Sequence, residues 1–450
     1  MSSQNACCVL IYDDLSGQRR LPGKPWALSS EYPRLDAPRQ AIKEIHAQGE
    51  RAWGNVHRSY SSSSGCARMI RLGGDRDAAN TRKDARAMAL LVEEIAAHLA
   101  IPENERDIKW LRDSLQSAIA VELATIPPYL YGMWSIKDKS AEVHGHIQAI
   151  VLQEMLHMGL VCNLLAAIGG RPEISGAAAR AYPTKLPGGV REQLSVHLEG
   201  LAPAPNDPDD VVRRVFMEIE MPEHPVAFAA EAESFPTIGA FYEAVKTCLN
   251  GLRPAPKFGG TQLEDPLFGL FKINDMADAN KAIDLIIEQG EGRPEVGEEV
   301  ALAELPADQS PAKVAHYYRF KEIWTGHHLR YDAADKKWKF DGPEMKRPAV
   351  HRLERLPAGG APVTDPDLRK KLDECNRTYH AVLSDLETAW KTGRAEDMDE
   401  AIEQMRNLGA EADDIVRYQV DKKFPKLYGP EFRPPDPVGN AFTHRGAGNG

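Results

Sequence analysis

Glu154 and His157 stand three residues apart in QEMLHMGLVCNLLAAIGG. A carboxylate and an imidazole at that spacing project from the same face of a helix. The face is apolar, its stripe running through Ile147, Ile150, Val161, Leu164, Leu165 and Ile168. An unpaired buried charge is strongly destabilising, so such a pair calls for a partner, and a metal ion is the most economical one. An isolated E-x-x-H also arises by chance in long chains, so the remaining helical segments must decide.

Four further groups bear on that decision. Glu122 is the one carboxylate on a stripe formed by Leu111, Leu115, Ala118, Ile119 and Ile126, and reads either as a ligand or as a buried acid bonded to Lys, Arg or backbone. Glu243, in AFYEAV, shares a face with Ala240, Ala244 and Thr247 rather than with the greasier Ile238, Phe241, Val245 and Cys248; it is a ligand or a solvated rim charge. Glu288 and Glu291 close an apolar helix, where the macrodipole opposes negative charge and a cation would compensate it. Pairing with Arg319 or Lys321 is the alternative, and Glu288 is the preferred ligand of the two. His316 lies on a stripe with Ala312, Phe320 and Ile323; a satisfied core histidine is the ordinary reading, and a ligand the sharper one. If residues 292–310 interrupt the fourth helix, Glu288 before the gap and His316 after it would stand in for a second E-x-x-H. His144, His146, His224, His327 and His328 form no set and read as solvated or loop residues. A carboxylate-rich, thiolate-free set suits iron, most simply a di-iron pair, or manganese, rather than structural zinc. Two such metals can activate dioxygen or a peroxide while the protein supplies geometry and a dry pocket. Tyr129, Tyr131, Trp134, Tyr317 and Tyr318 are placed to shape an aromatic pocket, or are plain core.

The elements that must position these groups are helical. Helical periodicity spans 84–100, 107–126, 147–168, 235–252, 277–292 and 310–326, then 366–392 and 395–422. Thr237 and Ser310 are expected N-caps, and Gly169-Gly170 a stop. Pro127 and Pro128 should kink or end the second helix. Residues 171–235, rich in Pro, Gly and Ala, read as a long crossover wrapped over a bundle, and Gly393 as the turn of a helical hairpin. No alternating strand pattern stands out. The expected organisation is an N-terminal extension over 1–75 with a Ser-rich linker at 59–65, a metal-binding domain over 76–330, a linker and hairpin over 331–422, and an extended tail over 423–450.

Composition bounds the class. At 450 residues, 42% hydrophobic and 27% charged, the chain is of globular type. A net charge of −11 argues against a nucleic-acid or anionic-membrane partner. No run approaches the length of a membrane span, and Asp13 and Asp14 cut short the first apolar stretch, which argues against a secretory signal. The six cysteines are scattered without C-x-x-C spacing; Cys162 and Cys248 read as small buried apolar groups, and a reducing cytoplasm is the expected compartment.

The segments AIAVELATIPPYLYGMWSI, VLQEMLHMGLVCNLLAAIGGRP, FMEIEMPEHP, FPTIGAFYEAV, IIEQGEG and HYYRF, in that order, resemble a ferritin-like family. That family is similar to the iminophenyl-pyruvate dimer synthase of violacein biosynthesis. The resemblance covers roughly 105–330 and extends to the 376–410 hairpin. It implies an all-α, four-helix ferritin-like bundle with one long crossover, in which Glu-x-x-His and lone Glu residues build a dinuclear site. It also implies a metal-dependent oxidative enzyme acting on an amino-acid-derived small molecule, as the violacein relative couples two imines derived from tryptophan. The competing expectation is a non-catalytic iron-binding or scaffold protein.

Overall fold

The computed structural model describes residues 101–176, 181–185, 194–221, 238–290, 315–332, 334 and 337–433. All of them belong to one of two compact units, Met1–Gln18 with Ala85–Gly450; the other unit, Arg19–Asp84, lies outside the described residues. So do the expected helix over 84–100 and the expected caps Thr237 and Ser310.

Two long helices form the backbone of the bundle, α1 (Ile108–Trp134) and α2 (Glu142–Ala167). Asp107 caps α1 by accepting from Trp110 N at 2.8 Å. After α2 the chain crosses over through a π-helical segment, Val212–Phe216, that runs into a short helix α3 (Met217–Ile219). Helices α4 (Ile238–Gly251) and α5 (Met276–Gly290) then pack on each other and on α1 and α2, completing four helices. α6 (His316–Thr325) ends at Gly326, whose φ of 75° is the left-handed stop that glycine accommodates. The fold is all-α and ferritin-like. A small departure from the all-helical expectation is the antiparallel ribbon of two three-residue strands, β1 (Arg330–Asp332) and β2 (Lys337–Lys339), with Arg330 opposite Lys339. α7 (Pro366–Thr392) and α8 (Ala395–Asp421) form the C-terminal hairpin about Gly393 (φ 70°).

Pro127 and Pro128 do not end α1, which continues to Trp134. Each proline removes a donor. The Ala124 carbonyl, four residues before Pro128, is answered instead by the Tyr182 hydroxyl of the crossover at 2.9 Å. A long-range bond thus replaces a local one, and the crossover becomes part of the helix.

α2 also corrects a composition-based expectation. Its most apolar 18-residue window has a mean hydropathy of 1.5, long and apolar enough to cross a membrane by length and composition, but 78% of that window is buried inside the protein. His144 and His146 at its start are buried too, at 2% and 7% exposure, rather than solvated. Burial pushes both imidazoles down to about 4.

The crossover is tied down by polar contacts. Asp210 accepts from Ala202 N and Val212 N and pairs with the buried Arg347, which also donates to the carbonyls of Ala202 and Ile323. Tyr129 of α1, Phe216 of the π-helical segment and Phe320 of α6 form an aromatic trio with ring centroids 4.9–5.1 Å apart. Gly132 lets that crossover approach α1, since a Cβ there would lie 2.8 Å from both Leu201 and Phe216.

Asn163 locks α2 to two other segments. Fully buried, it donates to the carbonyls of Leu263 and Phe271 and accepts from Leu263 N and Trp390 Nε1, all between 2.8 and 3.0 Å. Asn163→Ala would strand these groups without water. We expect a loss of about 3 kcal/mol or more in unfolding free energy, measured by chemical denaturation; a loss within 1 kcal/mol (roughly one hydrogen bond) would contradict this role.

Candidate metal centre

Three carboxylates and two imidazoles meet inside the bundle. Glu122 comes from the middle of α1, Glu154 and His157 from α2, Glu220 from the residue that ends α3, and His316 from the first position of α6. All five are between 0 and 4% exposed. They form two trios that share Glu154. In the first, His157 Nδ1 lies 3.7 Å from Glu122 Oε2 and 3.8 Å from Glu154 Oε2. In the second, His316 Nδ1 lies 2.7 Å from Glu154 Oε1 and 3.7 Å from Glu220 Oε2. The two imidazoles face each other with centroids 5.6 Å apart.

The surroundings repeat the same pattern on each side. Tyr242 of α4 donates its hydroxyl to Glu122, and Tyr129 of α1 donates to Glu220. His157 Nε2 meets Gln289 Oε1 at 2.8 Å, and His316 Nε2 meets Gln153 Oε1 at 3.3 Å. Because an amide oxygen can only accept, each Nε2 carries a proton, and each Nδ1 is the nitrogen that faces the carboxylates. Thr125 Oγ1 supports the shared Glu154 at 3.2 Å. Ligands of a metal are held in this way, with the far ring nitrogen fixed by a second group.

Electrostatics separates the shared acid from the two outer ones. Burial alone would raise Glu154, but it faces both imidazoles and is held well below the usual carboxylate range. Glu122, raised by its burial and by the charge of Glu154 and only partly offset by His157 and the Tyr242 hydroxyl, is pushed up to about 7; Glu220 is likewise raised by burial and by the charge of Glu154. The carboxylates in turn hold His157 up to about 10 against its burial, and raise His316. Among the described residues no lysine or arginine pairs with any of the three carboxylates. His316 Nδ1, although close to Glu154, has no hydrogen bond of acceptable geometry. Buried acids with no fixed cation, and an imidazole nitrogen aimed at them without a bond, fit divalent metal. Glu122, Glu154 and His157 would hold one ion and Glu154, Glu220 and His316 another, an oxygen-and-imidazole donor set.

A small cavity of about 20 Å³ adjoins this cluster, walled by Thr125, Ile238, Gly239, Tyr242, Ile286 and Ile287.

Of the residues singled out from sequence, the structure brings Glu122, Glu154, His157 and His316 together. It does not bring in Glu243 or Glu288, both exposed. On α4 the buried face is Phe241, Tyr242, Val245 and Cys248, so Tyr242 reaches the site and its neighbour Glu243 turns outward. On α5 the buried face is Ala279, Ala282, Ile283, Ile286 and Ile287, and it is Gln289 that meets His157. Glu291 lies outside the described residues. The suggested alternative partner for Glu288, Arg319, instead bonds to Gln153 and to the carbonyl of His146. Glu220 was missed. Its signal was available: an acid between Ile219 and Met221 in the one apolar patch of the crossover. Tyr131, expected at a pocket, hydrogen-bonds the carbonyl of Glu354.

Residues 115–325 match the Ferritin-like family model, and that span contains all five site residues. A search of curated proteins gives no match. Among solved structures, a ferritin-like protein from Caulobacter vibrioides is similar, with 21% identity over 71% of this chain and 96% of that chain, and a TM-score of 0.47.

Two outcomes follow from the shared carboxylate. Glu154→Ala should abolish both metal equivalents in a Mn(II) or Zn(II) titration, Glu122→Ala and Glu220→Ala should each weaken one, and Glu243→Ala and Glu288→Ala should change neither. A Glu154→Ala protein that keeps a full equivalent at unchanged affinity would contradict the sharing. In the metal-free protein the carboxylates hold His157 up to about 10, so it keeps a proton at neutral pH that a metal must displace, and they raise His316 in the same direction. Affinity should therefore rise with pH between about 6 and 8, with proton release detected by calorimetry in buffers of different ionisation enthalpy. A pH-independent affinity over that window would contradict the assignment.

Proposed function

We propose that this protein is a metal-dependent oxidative enzyme carrying a di-iron centre, with manganese the alternative metal, and that it acts on an amino-acid-derived small molecule. The observation that supports this reading is the pair of Glu/His trios sharing Glu154 beside a small apolar-walled cavity. Iron bound there would supply redox chemistry toward dioxygen or a peroxide.

The chain's own residues have separable tasks. Tyr242 and Tyr129 fix the two outer carboxylates through their hydroxyls. Burial lifts both phenols well above their ordinary range, so they remain donors at neutral pH. Ile238, Ile286 and Ile287 keep the approach to the centre apolar, which disfavours a strongly hydrated substrate. The sequence motifs that resemble the iminophenyl-pyruvate dimer synthase family make oxidative coupling of an amino-acid-derived imine, in secondary metabolism, a reaction to test first. The three described cysteines, Cys162, Cys248 and Cys375, are free and buried, which accords with a reducing cytoplasm.

Iron-loaded protein should consume oxygen or peroxide in the presence of at least one aromatic amino or imino acid, and Glu154→Ala should reduce that turnover by a factor of about 100 or more. Iron-loaded protein that binds two equivalents yet turns over none of a broad panel would point instead to the non-catalytic iron-binding reading.

A further inference from the structure

Behind His316 stands a buried arginine that, among the described residues, no carboxylate contacts directly; Glu322, on the same helix, acts on it only through its charge. Arg319 lies one turn along α6, is 0% exposed, and among the described residues forms no ion pair with a carboxylate. Its Nη1 donates to Gln153 Oε1 at 2.6 Å and its Nη2 to the carbonyl of His146 at 2.9 Å, while Nε has no hydrogen-bond partner. Burying a guanidinium is costly even with the charge of Glu322 nearby, and a plain tie between α6 and α2 could be made by an uncharged side chain.

The contact with Gln153 gives the charge a use. A glutamine amide presents an acceptor on one side and a donor on the other, and either can face a histidine. Arg319 donates only, so it claims the oxygen of Gln153. The same oxygen lies 3.3 Å from His316 Nε2. With the oxygen turned that way, His316 keeps a proton on Nε2, and Nδ1, facing Glu154 and Glu220, is the nitrogen that can give up its proton to a metal. Reversed, the amide would offer N–H to Nε2, the proton would move to Nδ1, and that nitrogen could no longer bind a cation. The other half of the centre lacks this device: Gln289 serves His157 with no cation bonded to it among the described residues.

We propose that Arg319 is a positioning residue that, by orienting the Gln153 amide, locks His316 in the Nε2–H tautomer and so keeps the Glu154–Glu220–His316 half of the centre competent to bind metal. The inference rests on the reading of this cluster as a metal site. It makes the two halves unequal, one of them depending on a buried charge that the other does not need.

The test compares wild type with Arg319→Met, Gln153→Leu and Gln153→Glu, using Zn(II) titration and ring-nitrogen NMR of protein labelled with ¹⁵N-histidine. Wild type should bind two equivalents and show His316 with a protonated Nε2. Arg319→Met and Gln153→Leu should keep one equivalent and weaken the other about 10- to 100-fold, with the His316 pattern lost and that of His157 retained. Gln153→Glu, whose carboxylate accepts from both Arg319 and His316, should restore both equivalents and the Nε2–H signal. Should Arg319→Met not fold, the two Gln153 variants carry the test. Two equivalents at wild-type affinity in both Arg319→Met and Gln153→Leu, with the His316 signature intact, would reduce Arg319 to a structural tie and overturn the inference alone. A wild type that binds no zinc would overturn the metal reading along with it.

Discussion

Everything in the bundle is arranged around one electrostatic constraint, the convergence of Glu122, Glu154 and Glu220 in a region from which water is excluded. Three acids so close cannot all ionise without compensation. The protein provides two imidazoles at close range and one guanidinium a residue removed, through Gln153. The acid between the imidazoles stays ionised while the outer two are driven upward. A pair of divalent cations satisfies the same geometry more fully, because it takes up the lone pairs on both Nδ1 atoms as well as the charge.

The scaffold around this constraint is rigid where it has to be. Glu154 and His157 sit on α2, a helix buried along most of its length and anchored by Asn163. Glu220 sits on irregular chain, and it is there that the polar and aromatic bracing is densest. Asp210 and Arg347 pin the entry to the π-helical segment, Phe216 is wedged against Tyr129 and Phe320, and the Tyr129 hydroxyl reaches Glu220 itself. π-Helical winding often marks a functional position, since it turns the following residues relative to an α-helix. Here it precedes the one ligand candidate that no long helix supplies.

The sequence made the helices legible because their apolar periods are long and clean, and it made Glu122, Glu154 and His157 legible because a charge on such a stripe is anomalous. His316 could be weighed the same way. Glu220 had a weaker signal, since a crossover rich in proline and glycine has no helical face and only the short apolar patch around Ile219 and Met221 set it apart. Glu243 and Glu288 were over-read for a related reason: helical wheels fix a direction only to within about one residue step of 100°, and in each case the neighbour, Tyr242 or Gln289, takes the inward place. The run of α1 through Pro127 and Pro128 was hidden because the group that answers the Ala124 carbonyl is Tyr182, far along the chain. Propensity is a local quantity, and tertiary hydrogen bonds override it.

The most direct measurement of the central claim is anomalous diffraction from crystals loaded with iron or manganese. Two peaks of comparable height, flanking the Glu154 carboxylate, one beside His157 Nδ1 and the other beside His316 Nδ1, are the predicted result. A single peak away from Glu154, or no peak within reach of these five residues at saturating metal, would contradict it.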